Sequence, residues 1–191
     1  MTTAERDQRT EWLEELSRIE QEVRQELEPL NETQFAWQPG ANRWSIGECL
    51  EHLAITTALA LRGIRAALEQ GRAAGKTGAP PFRYGLLGGW FVRAMEQPGK
   101  RGMRSPVNFV PTAGSPKAAV LERFAGAQRE LRTALESARG LPLDKLKAPS
   151  AAKGTGWLQL NAAAWFAATL AHERRHVAQA RRVKEAPGFP G

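Results

Sequence analysis

The sequence predicts an all-α protein: a four-helix bundle with a long, partly helical connection between the second and third helices. Three observations support this. Four segments carry apolar residues at spacings of three and four, the period of one helix face. Alanine, the best helix former, is abundant. No stretch alternates apolar and polar residues over a useful length, so no strand is expected.

The first helix is expected over residues 4–30, where Trp12, Leu16, Ile19, Val23, Leu27 and Leu30 form the stripe. Pro29 weakens its last turn, and Asn31 and Pro39-Gly40 mark the loop beyond. The second is expected over residues 45–71. It opens with a capping box, Ser45-Ile46-Gly47-Glu48, in which Glu48 reaches back to the serine. Trp44 precedes the cap and can pack over the helix start as a hydrophobic staple. Ile46, Leu50, Leu53, Thr57, Leu61, Ile64 and Leu68 continue the stripe.

Residues 72–114 are rich in Gly and Pro. A short helix between Tyr84 and Met95 is expected, and Trp90, Phe91, Phe109 and Val110 supply apolar groups for the loop to bury. The third helix, residues 115–139, is expected to be capped by Ser115 with Pro116 at its first position, and stopped by Gly140 and Pro142. Val120, Phe124, Ala127, Leu131 and Leu135 are its stripe. A linker precedes the fourth helix, residues 161–183. The 191 residues suit one domain, 1–191, with a real core.

The single cysteine, Cys49, excludes an internal disulfide and fits a reducing, cytoplasmic setting. The first residues are charged, with no apolar run of a secretory signal. The uncharged run from Gly154 to Ala171 opens with glycines and contains Gln159, Asn161 and Thr169, so it reads as a buried helix with its entry loop; no membrane span or membrane partner is expected. The net charge of +7 is uneven: residues 1–31 hold nine acidic and four basic side chains. The basic residues elsewhere are scattered, apart from Lys100, Arg101 and Arg104 and the stretch from Arg174 to Lys184, and aromatics do not interleave with them. Nucleic acid is therefore not the expected partner, and a solvated basic surface is.

The chain has three histidines, His52, His172 and His176. His172 and His176 stand one turn apart on the core stripe of the fourth helix, with Trp165, Ala168, Thr169, Ala180 and Val183. Two imidazoles on a core face are costly unless something takes their lone pairs. His52 lies at the edge of the buried face of the second helix. A divalent metal held by all three, with an open fourth position, is the chemistry this pattern fits. The string from His172 to His176 also satisfies the metalloprotease pattern with Glu173 as base, but that pattern needs a substrate-binding strand.

Around this set stand weaker candidates. Glu48, one turn before His52, is a catalytic candidate, though its capping role already accounts for it. Glu51 is expected to face solvent. Gln179, three residues after His176, is a second catalytic candidate, placed to bond a bound water or ligand. Arg175 is a candidate substrate clamp for a carboxylate at the pocket rim. Cys49 reads as a small core hydrophobe.

With Trp44-Ser45 and His52 on one helix, and His172, His176 and Gln179 on the last, the chain resembles the DinB/YfiT-like superfamily. The order of four long helices and the long connection match along nearly the whole chain. The resemblance implies a four-helix bundle of DinB/YfiT type holding a divalent metal, zinc or nickel, at His52, His172 and His176. It also implies a homodimer. It implies either an S-transferase type of enzyme using a low-molecular-weight thiol cosubstrate, or a metal-dependent hydrolase activating water. The alternative is a non-catalytic metal- or small-ligand-binding bundle.

Overall fold

The computed structural model describes residues 7–96, 109–111, 114–150 and 158–191. The first predicted turn, the Lys100, Arg101 and Arg104 cluster and the loop at Gly154, Thr155 and Gly156 lie outside these residues.

Six α-helices are described: α1 (Gln8–Glu22), α2 (Glu32–Ala36), α3 (Ile46–Ala73), α4 (Gly85–Glu96), α5 (Lys117–Ser137) and α6 (Ala162–Lys184). The four predicted helices are α1, α3, α5 and α6, and the short helix in the connection is α4. α1 ends before residue 30. It passes into one wider π-helical turn, Val23–Leu27, which still buries Val23 and Leu27. Pro29 and a fresh cap at Asn31, whose side chain accepts from the Gln34 amide, then start α2.

The predicted stripes are the core. Leu16, Leu27, Leu50, Leu53, Ile64, Leu131 and Leu135 are fully buried, joined by Trp12, Ile19, Val23, Val120 and Phe124. α1 and α3 each pack chiefly on α5 and α6, which leaves α1 diagonal to α3 and α5 diagonal to α6. α4 lies on α6 alone among the helices with extensive contact. Because α3 faces α6 directly, side chains from the second and last long helices meet in the interior.

Four expectations need correction. Pro116, not Ser115, stands at the cap of α5, and Lys117 is its first residue; the proline ring has no oxygen to accept from the first amides. The linker before α6 holds a short antiparallel pair, β1 (Lys147–Pro149) and β2 (Gln159–Asn161). Three residues a side are too few for a period-two signal; only Ala148 and Leu160 point inward. Trp90 and Val110 are exposed rather than buried, as are Leu86 and Leu87 on α4. Phe91 does turn inward, edge-on to Trp165 at 5.4 Å. Glu51 is buried, not solvent-facing, and the Arg123 guanidinium of α5 meets its carboxylate at 2.6 Å.

Several glycines set close approaches. A Cβ on Gly63 would lie 2.2 Å from the Pro149 carbonyl oxygen, and one on Gly88 would lie 2.8 Å from the Ala164 Cβ. The first obstacle is backbone, so it cannot rotate away. Gly63→Ala should therefore cost about 2 kcal/mol, as overpacking does, seen as a lower denaturation midpoint. A midpoint equal to or above the parent's would show that β1 is not pinned to α3.

Among the described residues, no helix is long and apolar enough to cross a membrane.

Candidate metal centre

The capping box forms as expected: the Ser45 hydroxyl accepts from the Glu48 amide, and the Glu48 carboxylate accepts from the Ser45 amide at 2.8 Å. Anchored this way, α3 carries His52 two turns in, on the side that meets α6. The Asn161 side chain caps α6 by accepting from the Ala164 amide at 2.8 Å. The uninterrupted helix that follows delivers His172 and His176 one turn apart.

The three imidazoles converge. One potential ligand atom from each of His52, His172 and His176 lies within 4.8 Å of the others. Ring centroids are 5.0 Å apart for His52–His172, 4.6 Å for His52–His176 and 4.5 Å for His172–His176. The Nε2 atoms of His52 and His172 stand 3.2 Å apart. Two nitrogens sharing a tetrahedral zinc at about 2.0–2.1 Å lie about 3.3 Å apart, so this spacing fits a common ion.

The tautomer of His52 follows from its other nitrogen. Nδ1 stands 2.6 Å from the backbone carbonyl of Phe109, which can only accept. Nδ1 therefore carries the hydrogen, and the Nε2 lone pair is left facing the cluster. The carbonyl comes from 57 residues away in the chain, in the connection between α4 and α5. At His176 the Nδ1 atom is buried with no hydrogen-bond partner. A buried ring nitrogen left without a partner is costly, whichever tautomer the ring holds. The donor set, three imidazoles with no carboxylate, suits a first-row transition metal rather than magnesium or calcium.

Trp44 walls the cluster, its ring 4.8 Å from that of His52 and 5.7 Å from that of His176. Sequence reasoning assigned it to the helix start; only the tertiary packing places it on the imidazoles.

Electrostatics keep the rings neutral. Burial, then the positive ends of the neighbouring histidines and Arg175, push His172 down to about 3 and His176 to about 2. His52 is lowered for the same leading reason, burial, with its bond to Phe109 opposing. Neutral imidazole is the form that ligates. An unfolded chain protonates histidine near 6.5, so below that pH it binds more protons than the folded one, and stability falls. Glu173 opposes this weakly, since burial raises its carboxyl to about 7 from 4.5. Three groups outweigh one between pH 6.5 and 4.5. The metal-free protein should melt at a lower temperature at pH 5 than at 6.5; a flat or rising profile by circular dichroism would contradict the burial of the rings.

The other candidates separate. The carboxylate of Glu48 is engaged at the helix start, accepting also from Gln38 Nε2 at 2.7 Å, and is not among the converging donors. Gln179 neighbours His176 and is half-buried. Arg175 is half-buried, and its charge disfavours protonation of all three rings. Cys49 is fully buried, and burial and the Glu48 charge raise its thiol far above the range of a reactive one.

Glu173 is sealed in the core. Its Oε1 accepts from the Thr57 hydroxyl at 2.8 Å and from Gln128 Nε2 at 3.0 Å, while its Oε2 has no partner. A carboxylate held there by α3 and α5 is not placed as the base of a protease. Gln128 was missed in the sequence, although a polar residue beside Ala127 in the stripe of α5 was a visible signal.

The fold and site define a helical-bundle protein with an interior three-histidine cluster able to hold a metal ion. The DinB superfamily profile matches residues 15–180, and the chain belongs to that superfamily. No curated protein and no solved structure gives a match.

Proposed function

We propose that the protein is a metal-dependent enzyme that activates a low-molecular-weight thiol, in an S-transferase type of reaction, or else water. The observation that carries this reading is the pairing of His52 Nδ1 with the Phe109 carbonyl, which turns Nε2 toward His172 Nε2 at 3.2 Å. Three neutral nitrogens leave a zinc or nickel ion one open position. A bound ion there would lower the pKa of a thiol or a water, supplying a thiolate or hydroxide at neutral pH.

The chain's own residues do the rest. The Phe109 carbonyl orients His52, and Trp44 packs against two of the rings. Burial keeps the histidines deprotonated, so protons do not compete for their lone pairs. Gln179, a neighbour of His176, would bond an incoming ligand. Thiol transfer is preferred over hydrolysis only because the resemblance to the DinB/YfiT-like superfamily implies it.

The test uses zinc- or nickel-loaded protein with 2-mercaptoethanol and a fluorogenic alkylating agent, beside a p-nitrophenyl ester in water. The expected outcome is metal-dependent S-alkylation at pH 7, lost in His172→Ala. Metal-dependent ester hydrolysis alone would select the water branch. Neither reaction, with metal bound, would leave a non-catalytic metal-binding bundle.

A further inference from the structure

α6 contains two arginine doublets, Arg174-Arg175 and Arg181-Arg182. In each, the first member is ion-paired. Arg174 reaches Glu15 at 3.1 Å and also Glu96, and Arg181 reaches Glu22 and Glu26 at 3.2 and 3.1 Å. The second member has no acidic partner within ion-pair distance among the described residues. Helical spacing places these second members beside the ligating face. Arg175 lies three residues after His172, Arg182 lies seven after Arg175, and Gln179 falls between.

The acids that flank the histidines in sequence are committed elsewhere. Glu48 serves the cap of α3, Glu51 pairs with Arg123, and Glu173 is bonded to Thr57 and Gln128. Three neutral imidazoles also leave the full double charge of a divalent ion uncompensated. The rim of the site is thus cationic twice over, on a half-buried guanidinium and at the ion. A half-buried cation without a counter-ion is costly unless a ligand brings one. A planar guanidinium matches a carboxylate in two parallel hydrogen bonds.

We infer that Arg175, assisted by Arg182, binds the carboxylate of a small acidic substrate whose other end reaches the three-histidine cluster. This deepens the metal reading and rests on it. A thiol that carries a carboxylate has both ends: sulfur for the ion, carboxylate for the guanidinium. Arg182 is more exposed and supplies long-range attraction more than a fixed bond.

The experiment loads the protein with cobalt(II), whose sulfur-to-metal absorption reports thiolate coordination directly. Mercaptoacetate and 2-mercaptoethanol are titrated into the parent, Arg175→Gln and Arg182→Gln. The expected result is at least about tenfold tighter binding of mercaptoacetate in the parent, as a charge-assisted pair gives. The ratio should collapse toward one in Arg175→Gln, with cobalt stoichiometry and 2-mercaptoethanol affinity kept, and fall less in Arg182→Gln. Comparing ratios between variants cancels the intrinsic difference between the two thiols. No preference in the parent, or a preference retained in Arg175→Gln, overturns the proposal. If cobalt is not taken up, the metal reading fails by itself. Calorimetry of mercaptoacetate against metal-free parent and Arg175→Gln then decides: a saturable heat lost in the variant upholds the carboxylate site, and its absence in the parent overturns it.

Discussion

His176→Ala should take the protein from about one zinc or nickel ion per chain to none after buffer exchange. The expectation follows from the count of donors. With three nitrogens converging and no carboxylate among them, each imidazole is a third of the protein's hold on the ion. Loss even of an outer partner of a ligand weakens metal affinity about 10–100-fold, so loss of a ligand should do more. A second readout is thermal. A bound ion at a hundred times its dissociation constant stabilises by about 2.7 kcal/mol, so zinc should raise the melting temperature of the parent and not that of His176→Ala. His52→Ala should behave alike. Glu48→Gln should keep the ion, because its carboxylate serves the helix start. A parent that takes up neither metal, or a His176→Ala that retains it, would reduce the histidines to core side chains.

That set was legible because helical periodicity is strict. Once Trp165, Ala168, Thr169, Ala180 and Val183 mark the inner face of α6, His172 and His176 are expected on it; His176 is buried there, and His172 stands half-buried at its edge, within reach of the other two rings. The same strictness made the stripes of α1, α3 and α5 readable. What periodicity cannot supply is the partner across the interior. The Phe109 carbonyl is a backbone atom and has no mark in the sequence. Glu51 looked solvent-facing because it lies off the centre of its stripe, and only the packing of α5 brings Arg123 over it. The strand pair is too short to carry a pattern of its own. Trp90 was assigned to the interior by hydrophobicity, yet α4 has α6 on one side, and its far face carries Leu86, Leu87 and Trp90 outward. Burial there was decided by layer count and not by residue type.

Glu173 carries the second large effect, and its two substitutions should move stability in opposite directions. The carboxylate accepts two hydrogen bonds at Oε1, from Thr57 and Gln128, in a site with no solvent exposure. Glu173 Oε2 and Gln128 Oε1 are both buried acceptors without a donor. Glu173→Ala removes the acceptor of both donors and leaves a cavity, so it should cost about 3–5 kcal/mol. Glu173→Gln keeps an oxygen for Thr57 and Gln128 and puts an amide where the orphan oxygen was, giving the pair the donor it lacks. It also removes the cost of a buried charge. The folded carboxyl is raised to about 7, so that cost is present above this pH and disappears as pH falls toward 4.5. Glu173→Gln should therefore be more stable than the parent at pH 8, by about 1–3 kcal/mol, and the gain should shrink by pH 5. Denaturant titrations at the two pH values measure it. Metal stoichiometry should be unchanged, because neither bonded partner of Glu173 is a histidine. If Glu173→Gln instead lost the ion while folding normally, the carboxylate would belong to the metal site; if it were as unstable as Glu173→Ala at pH 8, the charge itself would be what the core requires.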